Sequence, residues 1–251
     1  LSSKKDIMDF VDAGNQIRVA LGEDLGEDAI KSIGKMVGVF KKSSDELQGL
    51  DLKGEMLAAA SAVNELGASS TANEKYLVQF AGRLGGVASQ AGISMSAILG
   101  FASSLDQDMQ AVEMSATALQ KFIMSIMADP AKFAKIAGQD VKEFSELLNT
   151  DANEAIKQVL RSLNEKGGFQ QLIPIFKDMV LSSLAGSIDQ VEEAQSIANL
   201  AMLEGTSATK EYNIKNENLQ AQLEKARKAF KETAFELGQS LNPILLKSTR
   251  R

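Results

Sequence analysis

Cysteine, histidine and tryptophan are all absent from the 251 residues. Their absence excludes thiol nucleophiles, disulfides, thiolate and imidazole metal sites, and every mechanism that uses imidazole as a base. Proline occurs only three times, against 32 alanines, which disfavours a fold of many strands and proline-rich turns and points to helices. Excess charge is also lacking. The net charge of -6 comes from 33 acids and 27 bases, with -3 over residues 1–105 and -3 over residues 106–251. A mildly acidic chain offers no net basic face to release counterions from nucleic acid, so no direct nucleic-acid partner is expected. The start at Leu1 has no signal-peptide layout, and we expect a fragment of a longer polypeptide.

One run tests for a membrane span. From Leu84 to Leu105 no residue is charged, a length that could cross a bilayer as a single helix. Six of these residues are Ser or Gln and four are Gly, and Ala91-Gly92-Ile93-Ser94 reads as a helix stop followed by a new cap. Two buried helices are expected instead.

What is abundant is helix punctuation. Thr71 with Glu74, Asp140 with Glu143, Asp151 with Glu154 and Ser187 with Gln190 each place a capping residue three positions before Glu or Gln. Asp129 before Pro130 is a further start, and Ser43 or Ser44 before Asp45 a weaker one. Stops are expected at Gly67, Gly92, Gly138, Gly167 with Gly168, Gly186 and Gly205. The resulting expectation is an all-α bundle of about ten helices ending in a long C-terminal helix, with residues 1–50 as an N-terminal helical segment of no assigned role, 51–204 as a helical core and 205–251 as the long helix. Leu105, Met109, Val112, Ala116, Leu119, Ile123 and Ile126 recur at spacings of three and four, predicting one buried stripe. Ala155, Ile156, Val159, Leu160 and Leu163 predict another.

The C-terminal segment differs from the rest. Between Thr206 and Leu241 there is no Pro, and no Gly before Gly238, so a continuous helix of roughly 50 Å is expected at about 1.5 Å per residue. Tyr212, Leu219, Leu223, Ala226, Phe230, Leu237 and Leu241 fall on a heptad-like seam that calls for a partner helix, with self-association one way of supplying it. Asn216 and Thr233 are polar members of the same seam. Mixed charges, among them Glu224, Lys225, Arg227, Lys228 and Lys231, cover the other faces as on a solvated helix rather than an RNA-binding arm. A charge at the seam, as in Leu219→Asp or Leu223→Asp, is expected to weaken association or the fold.

Catalytic chemistry is scarce. Gly34-Lys35 lacks the upstream glycine and the hydroxyl of a phosphate-binding loop, and Gly82-Arg83-Leu84-Gly85-Gly86 has no strand before it, so close helix packing is its expected role. Asp106-Gln107-Asp108 reads as a helix start rather than a calcium loop. Carboxylates are the remaining acids and bases, but Glu192-Glu193 and the row Asp6, Asp9, Asp12 form no identifiable catalytic pair. No catalytic, cofactor or metal site is expected. Of the ten methionines, Met109, Met114, Met124, Met127, Met179 and Met202 are expected mainly as core filler, the alternative being an adaptable binding surface.

The order of several words resembles the core region of phage tail tape measure proteins. They are Ala91-Gly92-Ile93-Ser94, then Asp129-Pro130-Ala131-Lys132-Phe133-Ala134, then Asp140-Val141-Lys142-Glu143-Phe144 with Leu147-Leu148 and Asp151 to Leu160. The C-terminal words are Glu204 to Tyr212, Gln220 to Lys225, Leu237-Gly238 and Asn242-Pro243. The resemblance implies a virion structural protein that fills the tail tube lumen, acts as a ruler for tail length and scaffolds assembly in the bacterial host cytoplasm. Its implied partners are the tail tube protein, tail assembly chaperones and tail-tip initiator proteins, with a membrane met only on ejection. Two alternatives from other classes are a membrane-active helical domain inserting the 84–105 run as a hairpin, and a carboxylate-based peptidoglycan hydrolase.

Overall fold

A computed structural model describes residues 4–165 and 179–248, so the expected stop at Gly167 and Gly168 lies outside the described residues. Among the described residues there are twelve α-helices and no strand. They are α1 (Lys4–Leu25), α2 (Ala29–Phe40), α3 (Leu52–Ser69), α4 (Glu74–Gln90), α5 (Met95–Gln107) and α6 (Val112–Ala128). There follow α7 (Pro130–Ala137), α8 (Val141–Thr150), α9 (Ala152–Glu165), α10 (Met179–Gly186), α11 (Ile188–Glu204) and α12 (Ser207–Ser248). The all-helical expectation holds.

Local chemistry explains most of the boundaries. The carboxylates of Asp51, Asp129, Asp140 and Asp151 accept from backbone amides three residues on, at 2.9, 3.1, 3.3 and 2.9 Å, which satisfies donors that a helix start leaves free. Gly92, Gly138 and Gly205 take φ of +73°, +73° and +63° and close α4, α7 and α11 in the left-handed region. Two of the expected capping pairs fail. Asn73, not Thr71, caps α4, accepting from Lys75 and Tyr76 at 3.0 and 3.2 Å, because Asn73 stands directly before the first helical residue. The Ser187 hydroxyl makes no cap and donates instead to Asp108 Oδ2 at 2.8 Å. Gly67 is likewise no stop: α3 runs on to Ser69, and the absent Cβ leaves room for the Glu74 side chain.

α5 is the central element, and every residue from Met95 to Leu105 is buried. The uncharged 84–105 run is therefore split between α4 and α5 at Gly92, and no helix among the described residues is long and apolar enough to cross a membrane. α4, α10 and α11 pack on α5, α3 lies under α11, and α1 and α2 cover α3 and α4. α7, α8 and α9 form a small three-helix unit, joined to α6 where the Phe122 and Phe133 rings meet edge-on at 5.8 Å. Glu55, only 2% exposed, is ion-paired by Lys41, tying the end of α2 to α3.

The predicted stripe from Leu105 to Ile126 is broken. α5 ends at Gln107, and Met109 sits in the following turn at φ +55° and 91% exposed. Only Ala116, Leu119, Ile123 and Ile126 carry the buried stripe on α6, with Val112 half-buried at its start. Asp106 and Asp108 accordingly end a helix rather than start one. Asp106 accepts from the Asn73 amide, and Asp108 accepts from both Ser183 and Ser187, pinning α10 and α11 to the turn.

At the α5–α11 crossing a Cβ on Gly100 would lie 2.7 Å from the backbone nitrogen of Gln195. Gly100→Ala should therefore force the helices apart and cost about 1–3 kcal/mol, the usual range for overpacking. A thermal melt followed by circular dichroism checks this; an unchanged melting temperature would mean that the crossing yields without cost.

Candidate partner-binding site

The root of α12 is built by α1 and α3. Ala208 is fully buried, and its amide donates to Ser61 Oγ at 3.2 Å. Ser207 Oγ donates to Glu65 Oε2 at 2.7 Å and accepts from Asn64 at 2.9 Å. On α1, Thr209 donates to Gln16 at 2.8 Å, Asn15 to the Tyr212 hydroxyl at 3.5 Å, and Lys215 to the Ala20 carbonyl at 2.8 Å. From Thr209 and Tyr212 beside Gln16 and Asn15 to Lys215 beside Ala20, α12 advances toward the C-terminal end of α1, so it runs in the same sense as α1. A groove of about 650 Å³ lies between them, lined by Arg18, Val19 and Gly22 on one side and Asn216, Leu219 and Gln222 on the other.

Beyond Asn216 the helix leaves the body. Every described side chain from Glu217 onward is exposed, including Glu224, Lys225, Arg227, Lys228 and Lys231. The seam therefore divides. Tyr212 packs at the root, while Leu219, Leu223 and Phe230 are 54%, 51% and 76% exposed and Ala226 is also exposed. Leu237 and Leu241 belong to α12, but their side chains lie outside the described residues. Within the chain the seam's partner helix is α1, and it reaches only the first turns. The rest is an amphipathic helix with its apolar face in water, a feature that marks an interaction surface when the patch is contiguous.

One exposed apolar surface was not expected from the sequence, and a second was expected only as an alternative. On α1, Ile7, Met8 and Val11 are 52%, 62% and 62% exposed; three apolar residues among the charges at 4, 5, 6, 9 and 12 were the available signal. On α6, Met114, Met124 and Met127 are exposed, as is Met109 before it, and of the six methionines only Met202 is buried among the described side chains. The core-filler expectation is thus overturned for four of them. The inward positions of α6 are taken by Leu119, Phe122, Ile123 and Ile126, which leaves the methionines on its outer face.

The carboxylates form ion pairs rather than an acid–base pair. Glu154 Oε1 meets Arg161 at 2.8 Å and Oε2 meets Lys157 at 2.9 Å, and both cations also contact Glu192. Burial alone would raise the Glu154 carboxyl, but the hydrogen bonds from Arg161 and Lys157 hold it below its ordinary value of 4.5. An acid catalyst would need the opposite shift. Glu193 faces solvent, Asp9 pairs with Lys5 and Asp12 with Lys53. Among the described residues no group of three or more acids could hold a metal ion.

Residues 2–186 match the sequence family described as phage-related minor tail protein. No curated protein and no solved structure matches the chain.

Two outcomes follow from this geometry. Leu223→Asp should leave the melting temperature of the dilute, monomeric chain unchanged to within about 0.5 kcal/mol of stability, because an exposed side chain changes little in the fold; a clear loss in a circular dichroism melt under those conditions would mean the seam is covered within the chain. The stabilisation from Glu154 should be present above about pH 4.5 and lost as pH falls through its lower folded-state value. The difference in melting temperature between the wild type and Glu154→Gln should accordingly narrow on acidification.

Proposed function

The chain belongs to the phage-related minor tail protein family, with a structural role in the phage tail, and from that premise we propose that it is a segment of a tail tape measure protein. In this reading it scaffolds tube assembly and contributes to the ruler that sets tail length, from within the tail lumen. The single observation that carries the reading is α12, a helix of 42 residues anchored at its start, whose described side chains past Asn216 are all exposed. A helix adds about 1.5 Å for each residue, so residue count converts linearly into length, whereas the bundle that precedes α12 does not convert in this way. The sequence words shared with the tape measure family support the same reading.

The divisions near residues 50 and 205 follow from this proposal. Residues 51–204 would be the folded core, residues 1–50 would brace it, and 205–251 would be the extended arm. The arm's exposed apolar face suits the partners expected for such a protein: tail tube subunits, assembly chaperones, tail-tip initiator proteins or a further copy in a coiled coil. The membrane reading gains nothing from the 84–105 run, which is needed as core. The hydrolase reading gains nothing from Glu154 and Glu192, which are neutralised by Lys157 and Arg161.

The test is tail length by electron microscopy after residues 217–244 are deleted from the parent gene. This removes four heptads, keeps the root contacts up to Lys215 and rejoins the helix in phase. Tails shorter by about 42 Å, the rise of 28 helical residues, are the expected result. Well-formed tails of unchanged length would show that the arm is not read out as length.

A further inference from the structure

We propose that a second copy of this chain covers the arm: the exposed seam of α12 docks on the exposed N-terminal stripe of α1 in the other copy, and the exchange is reciprocal. The inference does not depend on whether the arm acts as a ruler.

It rests on continuity with the contact that already joins the two helices. At helical spacing Met8 and Val11 lie on the same face of α1 as Asn15, Val19 and Gly22. Asn15 meets Tyr212, and Val19 and Gly22 line the groove against α12. On α12, Leu223, Ala226 and Phe230 continue the face that carries Tyr212 and Leu219. Each helix thus has one half of a matching face used within the chain and one half bare. On α1 the bare half precedes the contact, with Ile7, Met8 and Val11 all more than half exposed. On α12 the bare half follows it, with Leu223 and Phe230 likewise more than half exposed.

The two bare halves cannot meet within one chain. α12 starts beside the middle of α1 and runs in the same sense, so its far half extends past Leu25 while Ile7, Met8 and Val11 lie behind its root. A helix free of Pro and Gly from Ser207 to Leu237 does not fold back on itself. A second copy supplies both missing surfaces at once, each chain giving one arm and one stripe. Such a mutual exchange closes under two-fold symmetry, the commonest symmetry of homo-oligomers.

The chain has no cysteine of its own, so single-cysteine variants report contacts without interference. Val11→Cys and Leu223→Cys are prepared separately, distinguished by a mass tag, mixed and treated with a short bis-maleimide. The expected product is the mixed dimer, Cys at 11 of one chain joined to Cys at 223 of the other. Light scattering of the wild-type chain should show a dimer that dissociates on dilution, and Met8→Asp with Val11→Asp should weaken it by about tenfold or more, since a charge would enter an apolar contact. Both positions are exposed in the single chain, so an unchanged circular dichroism melt at a dilution where the wild type is monomeric separates lost association from lost fold. A dominant 223–223 product would overturn the proposal by showing that the seam pairs with itself. A monomer at every concentration, with no crosslinked product, would overturn it equally.

Discussion

The close approach of α5 and α11 is the constraint on which the body depends. Gly100 lies against the backbone of Gln195 with no space for a Cβ, and the Gln195 side chain, 8% exposed, reaches across the junction. It donates to the Ala97 carbonyl at 3.1 Å and exchanges hydrogen bonds with Asn153 at 2.9 and 3.1 Å. One buried amide therefore ties α5, α11 and α9 together, and its polar atoms are satisfied within the core. The other helices are arranged around that junction: α4 and α10 pack on α5, and α3 lies beneath α11. Such interiors are close-packed, and a change in separation at one crossing is felt by the helices stacked on both partners.

The arm obeys a different rule. Past Asn216 every described side chain is exposed, and only Asn218, Leu219 and Gln222 still border the groove against α1, so what mainly maintains the arm is intrahelical hydrogen bonding and the helix-favouring composition of residues 217–231. An isolated helix of this kind is only marginally stable in water, and most helical stability comes from packing an apolar face. Leu219, Leu223 and Phe230 provide such a face. A rigid body with a marginal amphipathic extension suits a tail protein, whose assembly has to present surface to partners that arrive later.

Much of this was legible in the sequence, and the reason is physical. Asp129, Asp140 and Asp151 bond to amides three residues away, and Gly92, Gly138 and Gly205 act on their own backbone, so the information lies within one helical turn. The readings that failed involve partners far along the chain. Asp106 and Asp108 looked like a helix start because Asn73, Ser183 and Ser187, their actual partners, are 33, 75 and 79 residues away. Ser187 looked like a cap because nothing local shows that Asp108 will hold its hydroxyl.

By itself the sequence determined the helical class, the helix boundaries at Asp129, Asp140, Asp151, Gly138 and Gly205, the interruption of the uncharged 84–105 run and the continuity of α12, since each depends on backbone propensity and hydrogen bonds inside a turn. Only the tertiary structure decided which apolar face met which neighbour. The periodicity of α6 left Met114, Met124 and Met127 outside the stripe but could not show that no neighbour covers that outer face. The seam of α12 was visible along its whole length, but only packing against α1 decided that Tyr212 is covered and Phe230 is not. A helical period fixes which residues share a face, whereas burial depends on how far the neighbouring element extends, and α1 ends at Leu25.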